Sequence, residues 1–145
     1  MRNNKGFTLI ELMLVIIIIG ILVAMVLPRF AGRTYQAKIA RAKADIVSIS
    51  VALDMYELDN DSYPTTEQGL SALRQKPTTP PIPNNWKGTY LKKKIPVDPW
   101  NNPYHYTCPG VHNEDYDLIS YGKDGVEGGG DDVCNWEETQ TDRKE

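Results

Sequence analysis

The chain has 145 residues and a formal net charge of −3, so neither an acidic nor a basic excess marks it for nucleic acid. Once a long apolar segment at the amino terminus is set aside, enough sequence remains for one small domain. No Ser-His-Asp arrangement, phosphate loop or zinc motif appears, and nothing in the sequence recommends an enzyme.

A basic leader with Arg2 and Lys5 opens the chain. It is followed by Gly6-Phe7-Thr8-Leu9-Ile10-Glu11 and an apolar run in which Glu11 is the only charge before Arg29. At 1.5 Å per residue, the roughly 20 residues from Phe7 to Leu27 reach about the 30 Å hydrocarbon thickness of a bilayer. The many Leu, Ile and Val residues outweigh one carboxylate near the end. A secretory signal peptide fits poorly, because its apolar core is shorter and no small-x-small site follows in Val23-Ala24-Met25-Val26. A plain membrane anchor explains the length but not Glu11, an ionisable group that is costly in lipid and calls for a partner.

Gly6 followed by Phe-Thr-Leu-Ile-Glu resembles the class III signal of type IV prepilins and pseudopilins. The resemblance implies a membrane prepilin peptidase that cuts after Gly6 and methylates the new terminus at Phe7. The chain then divides into a leader (1–6), a transmembrane and filament-core helix (7–28) and a globular domain (29–145). Glu11 gains a partner, the ammonium of Phe7 on a neighbouring subunit, which makes a buried carboxylate tolerable. Pro28 is expected to bend or locally melt the helix by removing a backbone donor. Loss of Arg2 and Lys5 takes the net charge to −5. The basic cluster Arg29, Arg33, Lys38, Arg41 and Lys43 opposes the leader in the positive-inside count, so charge alone leaves orientation open, and the resemblance implies export.

Beyond the proline, Tyr35, Ile39, Ala42, Ile46, Ile49, Leu53 and Tyr56 recur at alternating spacings of four and three. That pattern predicts an amphipathic helix from near Arg29 to about Leu58 with one core-facing stripe. Asp59-Asn60-Asp61-Ser62 ends it by turn chemistry. A shorter helix is expected from Thr65, an N-cap candidate with Gln68 three residues on and an apolar edge of Leu70 and Leu73. The block Tyr63-Pro64-Thr65-Thr66-Glu67-Gln68-Gly69-Leu70 resembles a signature of the major pseudopilins of the type II secretion system. Pro77, Pro80, Pro81 and Pro83 mark a surface loop. Trp86, Tyr90 and Leu91 are expected to fold back onto the core, and Lys92-Lys93-Lys94 to form a solvated turn.

Asp98-Pro99-Trp100-Asn101-Asn102-Pro103-Tyr104 resembles another pseudopilin block, with Asn101 in place of the usual glycine. Asparagine tolerates positive φ, so a turn is expected there. Tyr104–Thr107 and Tyr116–Ser120 read as a hairpin, with the region of Val133 as a third strand. His105 and His112 have no second ligand at useful spacing and are assigned structural or surface roles.

Between Ser120 and Asp132 lie four carboxylates and five glycines. Such a loop builds no core, and its acids repel one another unless a hard cation, ligated by carboxylate and backbone oxygens, neutralises them. Calcium suits these donors better than zinc, and a flexible acidic loop is the alternative. An EF-hand is excluded, since counting from Asp124 the third position is Val126 and the twelfth Asn135. The pseudopilin resemblance implies one structural calcium, with Asp124, Asp131 and Asp132 as ligands, and the backbone oxygens of Tyr121 and Val126 are added to the set. Glu127 is expected to lie outside it. Cys108 and Cys134 flank the loop. An exported domain suggests a disulfide between them, with two unpaired buried thiols as the alternative. The pair departs from the family's usual pattern.

These readings converge on an α+β, type IV pilin-like fold in which a long amino-terminal helix packs on a small antiparallel sheet with a calcium-binding loop. The expected role is the major subunit of a type II secretion pseudopilus. The resemblance implies a single-pass inner-membrane protein with a periplasmic domain that polymerises into a periplasmic homo-oligomeric filament exporting folded proteins. It also implies minor pseudopilins and an inner-membrane assembly platform as partners. A type IV pilin of a surface fibre and a membrane-tethered calcium-binding protein that never polymerises are the competing readings.

Overall fold

The computed structural model describes residues 7–136, with side chains 25–33 left aside. Cleavage at Gly6, the bend at Pro28 and the charged tail from Glu137 therefore lie outside the described residues, although the helical backbone itself runs past position 28. In chain order the elements are helix α1 (Leu9–Asn60), a 3₁₀ turn (Leu70–Leu73), and strands β1 (His105–Thr107), β2 (Asp117–Ser120) and β3 (Val133–Cys134). The chain separates into two compact units, residues 1–37 and 38–145.

The first unit is helical from Leu9 onward. Thr8 and Glu11 close its start reciprocally. Glu11 N–H donates to Thr8 Oγ1 at 3.3 Å, and Glu11 Oε2 accepts from Thr8 N–H at 2.8 Å. This is the Thr-x-x-Glu capping box, which satisfies two donors that a helix start leaves open. The large apolar side chains from Phe7 to Val23 are all exposed by about half or more. Among the described residues no helix is long and apolar enough to cross a membrane. The side chains described in this run stop at Ala24, short of Leu27 where the apolar sequence ends.

In the second unit, one stripe of α1 forms the core. Ala42, Ile46, Ile49, Leu53 and Tyr56 are buried, and Ile39 packs partly buried beside them. They meet Leu70, Leu73, Tyr104, Tyr106, Tyr116, Leu118 and Val133 in one cluster. The helix ends at Asn60 because Asp61 turns to φ 57°, its N–H returning to Glu57 O at 2.7 Å. The sheet order is β1-β2-β3, antiparallel throughout, with Tyr106 opposite Leu118 and Ser120 opposite Val133. Period-two alternation places those four residues on the inner face.

The expected second helix forms only a 3₁₀ turn. Its capping box is present, with Thr65 N–H on Gln68 Oε1 at 3.2 Å and Gln68 N–H on Thr65 Oγ1 at 3.3 Å. Gly69, at φ 57°, then breaks the helical path. The buried Gln68 amide instead donates to the carbonyls of Thr79 and Pro81, each at 2.8 Å, and so holds the proline-rich loop. Trp86 Nε1 donates to Ala72 O at 3.0 Å and Tyr90 N to Leu73 O at 2.8 Å, which returns this segment to the core as expected.

Replacing Leu53, which is fully buried, by Ala should cost about 2–5 kcal/mol through lost transfer free energy and a residual cavity. Leu58→Ala on the exposed side of the same helix should change stability by less than about 0.5 kcal/mol. Urea unfolding of the full chain in detergent micelles measures both, and equal losses would contradict the assigned core face.

Candidate cation-binding loop and amino-terminal segment

The acidic loop leaves β2 at Ser120 and returns at β3. Its backbone reverses at Gly122, Gly125, Gly128 and Gly130, all at positive φ. Space as well as conformation requires glycine at Gly122, and space alone is tight at Gly129. A Cβ on Gly122 would run into the carbonyl and carboxylate of Asp131, and one on Gly129 into the carboxylate of Asp124. The acids thus lie tight against the loop's own backbone. Asp131 Oδ2 accepts from Lys123 N–H at 2.5 Å and Asp124 N–H at 3.4 Å, Asp124 Oδ1 from Val126 N–H at 3.0 Å, and Asp132 Oδ2 from Gly128 N–H at 2.8 Å.

Among the described residues, no three acidic, imidazole or thiol groups gather in a way that would hold a metal ion. The carboxylates are turned onto backbone N–H groups instead. Two features nevertheless suit a hard cation: every side-chain donor is a carboxylate oxygen, and Asp131 Oδ1 is buried without a hydrogen-bond partner. The Tyr121 carbonyl faces into the loop and accepts from Gly125 N–H at 3.1 Å. Val126 contributes its N–H to Asp124, and its side chain is exposed. Glu127 accepts from Tyr121 Oη at 3.4 Å. Burial, followed by this carboxylate, raises the Tyr121 hydroxyl above its ordinary value.

The expected disulfide is a correction. Cys108 and Cys134 are not joined. Cys108 follows β1, where Thr66 Oγ1 accepts from its N–H at 2.8 Å and donates to its carbonyl at 3.0 Å. Cys134 stands on β3, beyond β2, opposite Ile119. Two strand spacings are about 9.5 Å, whereas a disulfide needs Cα atoms within about 7 Å. Cys108 packs partly buried against the core, whereas Cys134 on β3 is out of phase with inward Val133.

A second carboxylate centre lies at the hairpin. Asp117 accepts from the N–H groups of Val111 and His112 through Oδ2, at 2.7 and 2.9 Å, and of Asn113 through Oδ1, at 2.9 Å. His112 Nδ1 is also 3.0 Å from Oδ2, and its ring stacks on Trp136 at 4.2 Å. The other histidine, His105, stacks on Tyr121 at 4.1 Å. Both have structural surroundings.

A long amino-terminal helix whose second part buries one stripe beneath a small antiparallel sheet, preceded by an apolar run with one carboxylate, defines the type IV pilin-like class. Comparison with known proteins narrows it. The family described as type II secretion system protein G matches residues 29–136, and the prokaryotic N-terminal methylation motif matches residues 1–27. Type II secretion system core protein G of Pseudomonas aeruginosa is 53% identical over 139 residues, covering 94% of this chain and 97% of that one. Its namesake from Escherichia coli K12 is 48% identical over 134 residues, covering 92% of each. The crystal structure of the major pseudopilin from the type 2 secretion system of enterohaemorrhagic Escherichia coli shares 42% identity at a TM-score of 0.66, covering 73% of this chain and 92% of that one. The chain belongs to the type II secretion system protein G family and is a major pseudopilin subunit.

Burial pushes the Asp117 carboxyl up, but its backbone and His112 donors outweigh burial and hold it below the ordinary value of 3.8. A depressed folded-state pKa contributes stability that is complete above the ordinary value and is lost as pH falls through the folded one. Asp117→Asn should therefore lower stability at pH 7 by about 1–3 kcal/mol. It should also flatten the loss of stability as pH falls below the ordinary carboxylate value of 3.8 in denaturant titrations. A variant as acid-sensitive as the parent would contradict this origin.

Proposed function

We propose that the chain is made as a single-pass inner-membrane precursor, cut after Gly6, methylated at Phe7, and polymerised into a periplasmic filament that exports folded proteins. The observation that carries this reading is the first unit's surface. Large apolar side chains are exposed throughout Phe7–Val23, with Glu11 as their only charged neighbour. Such a surface is stable only where lipid or other apolar helices cover it. In the separate chain Glu11 is satisfied by Thr8. On assembly that carboxylate exchanges its local donors for the ammonium of a neighbour's Phe7, so that charge is paired where it is buried. Prepilin peptidase, minor pseudopilins and the inner-membrane assembly platform are the partners this route requires.

The acidic loop is the calcium site of the same reading. Asp124, Asp131 and Asp132 supply carboxylates, and Tyr121 and Val126 supply backbone oxygens. Bound calcium neutralises the acids and fixes the loop as part of the surface that subunits present to one another.

Protein purified from its native membranes should have the intact mass of Phe7–Glu145 plus one methyl group; a mass retaining Met1–Gly6 would leave a simple anchor and remove the basis for a filament. Glu11→Ala should abolish filaments in electron micrographs without changing the melting of the globular domain. Asp124→Ala should lower Tm in calcium and prevent assembly, and melting of the parent that is the same with calcium as with chelator would refute the calcium site.

A further inference from the structure

Beneath the acidic loop are two buried polar groups outside its donor set, Asp98 and Ser120, exposed by 3% and 0%. Ser120 Oγ–H donates to Asp98 Oδ2 at 2.6 Å, and the same Oγ accepts the Gly122 N–H at 3.3 Å. A trans peptide is planar, with its C=O and N–H pointing opposite ways. Holding the Gly122 N–H on Ser120 therefore turns the Tyr121 carbonyl into the loop, where it meets Gly125 N–H at 3.1 Å.

The next peptide plane is held in the same manner. Asn102 Nδ2 donates to Gly122 O at 3.2 Å, and the opposite end of that plane, Lys123 N–H, reaches Asp131 Oδ2 at 2.5 Å. Asn102 is itself seated by Asp98, whose Oδ1 accepts its backbone N–H at 2.7 Å and that of Trp100 at 2.9 Å. One buried carboxylate thus sets two consecutive peptide planes. One plane aims a candidate ligand carbonyl, and the other orients a candidate ligand carboxylate.

We propose that Asp98, acting through Ser120 and Asn102, is the positioning residue of the cation loop and fixes the direction of Tyr121 C=O and Asp131 before any ion arrives. The proposal rests on the loop being the calcium site. Preorganisation of this kind acts on affinity, because the ordering of the loop is then partly complete before binding.

Two near-isosteric variants separate positioning from bulk stability. Asp98→Asn keeps the Oδ1 acceptor but puts an NH₂ donor against Ser120, which reverses the polarity of the relay; Ser120→Ala removes its middle link. Calcium titration calorimetry on the full chain in detergent micelles should show affinity weakened roughly ten- to hundredfold in both. The rise in Tm produced by calcium, measured against each variant's own Tm in EDTA, should shrink accordingly. Parental affinity in both variants, or an equal fall in Tm with calcium and with EDTA, would overturn the proposal. Failure of the parent itself to bind calcium would overturn the loop reading and this inference with it, a result distinct from a parent that binds and variants that bind as well.

Discussion

The second unit depends on covering one helical stripe. Ala42, Ile46, Ile49, Leu53 and Tyr56 need an apolar partner, yet β1, β2 and β3 are three, four and two residues long. So small a sheet cannot cover four turns of helix. Irregular segments supply the remainder: Leu70 and Leu73 from the 3₁₀ turn, then Trp86, Tyr90 and Leu91 from the loop behind it. Irregular backbone near a core must place its polar groups somewhere. That need explains the buried Gln68, whose amide takes two carbonyls of the proline-rich loop.

The same demand makes carboxylates organisers of loops. Asp98 gathers two backbone N–H groups and a hydroxyl, and Asp117 gathers three backbone N–H groups and a histidine ring nitrogen. Each ties a turn to β2, Asp98 through Ser120 and Asp117 as part of the strand. Anionic acceptors form stronger hydrogen bonds than neutral ones, so one side chain can fix a segment that has no regular structure. The acidic loop has a similar arrangement on the surface, with Asp124, Asp131 and Asp132 bonded to backbone N–H groups of their own loop.

Tyrosines join the apolar and polar systems. Tyr56, Tyr104, Tyr106 and Tyr116 bury their rings in the core, while Tyr104 donates its hydroxyl to Asp45 at 3.3 Å and Tyr106 to Pro64 O at 2.7 Å. Burial raises their phenols, and Tyr106 most strongly, so they remain neutral donors. An aromatic with a polar tip suits a thin domain, because a ring in the core has its hydroxyl within reach of a loop.

Period and local chemistry determined much of this protein from sequence. Alternating spacings of four and three placed the stripe, turn residues ended α1 at Asn60, Asn101 takes φ 76° as its residue type allows, and the β-prone runs became the three strands. Thr8-x-x-Glu11 is equally legible as a capping box. Tertiary structure decided what depends on register. An exported domain suggested a bond between Cys108 and Cys134, but strand order places them on either side of β2. The Thr65–Gln68 box formed without its helix, because Gly69 at φ 57° turns the backbone off the helical path. Asp98 and Ser120 carried no signal of their relation, being separated in sequence and joined only when β2 passes beneath the turn. Local spacing fixes which face of an element a residue occupies, whereas contacts between elements exist only once the chain has closed.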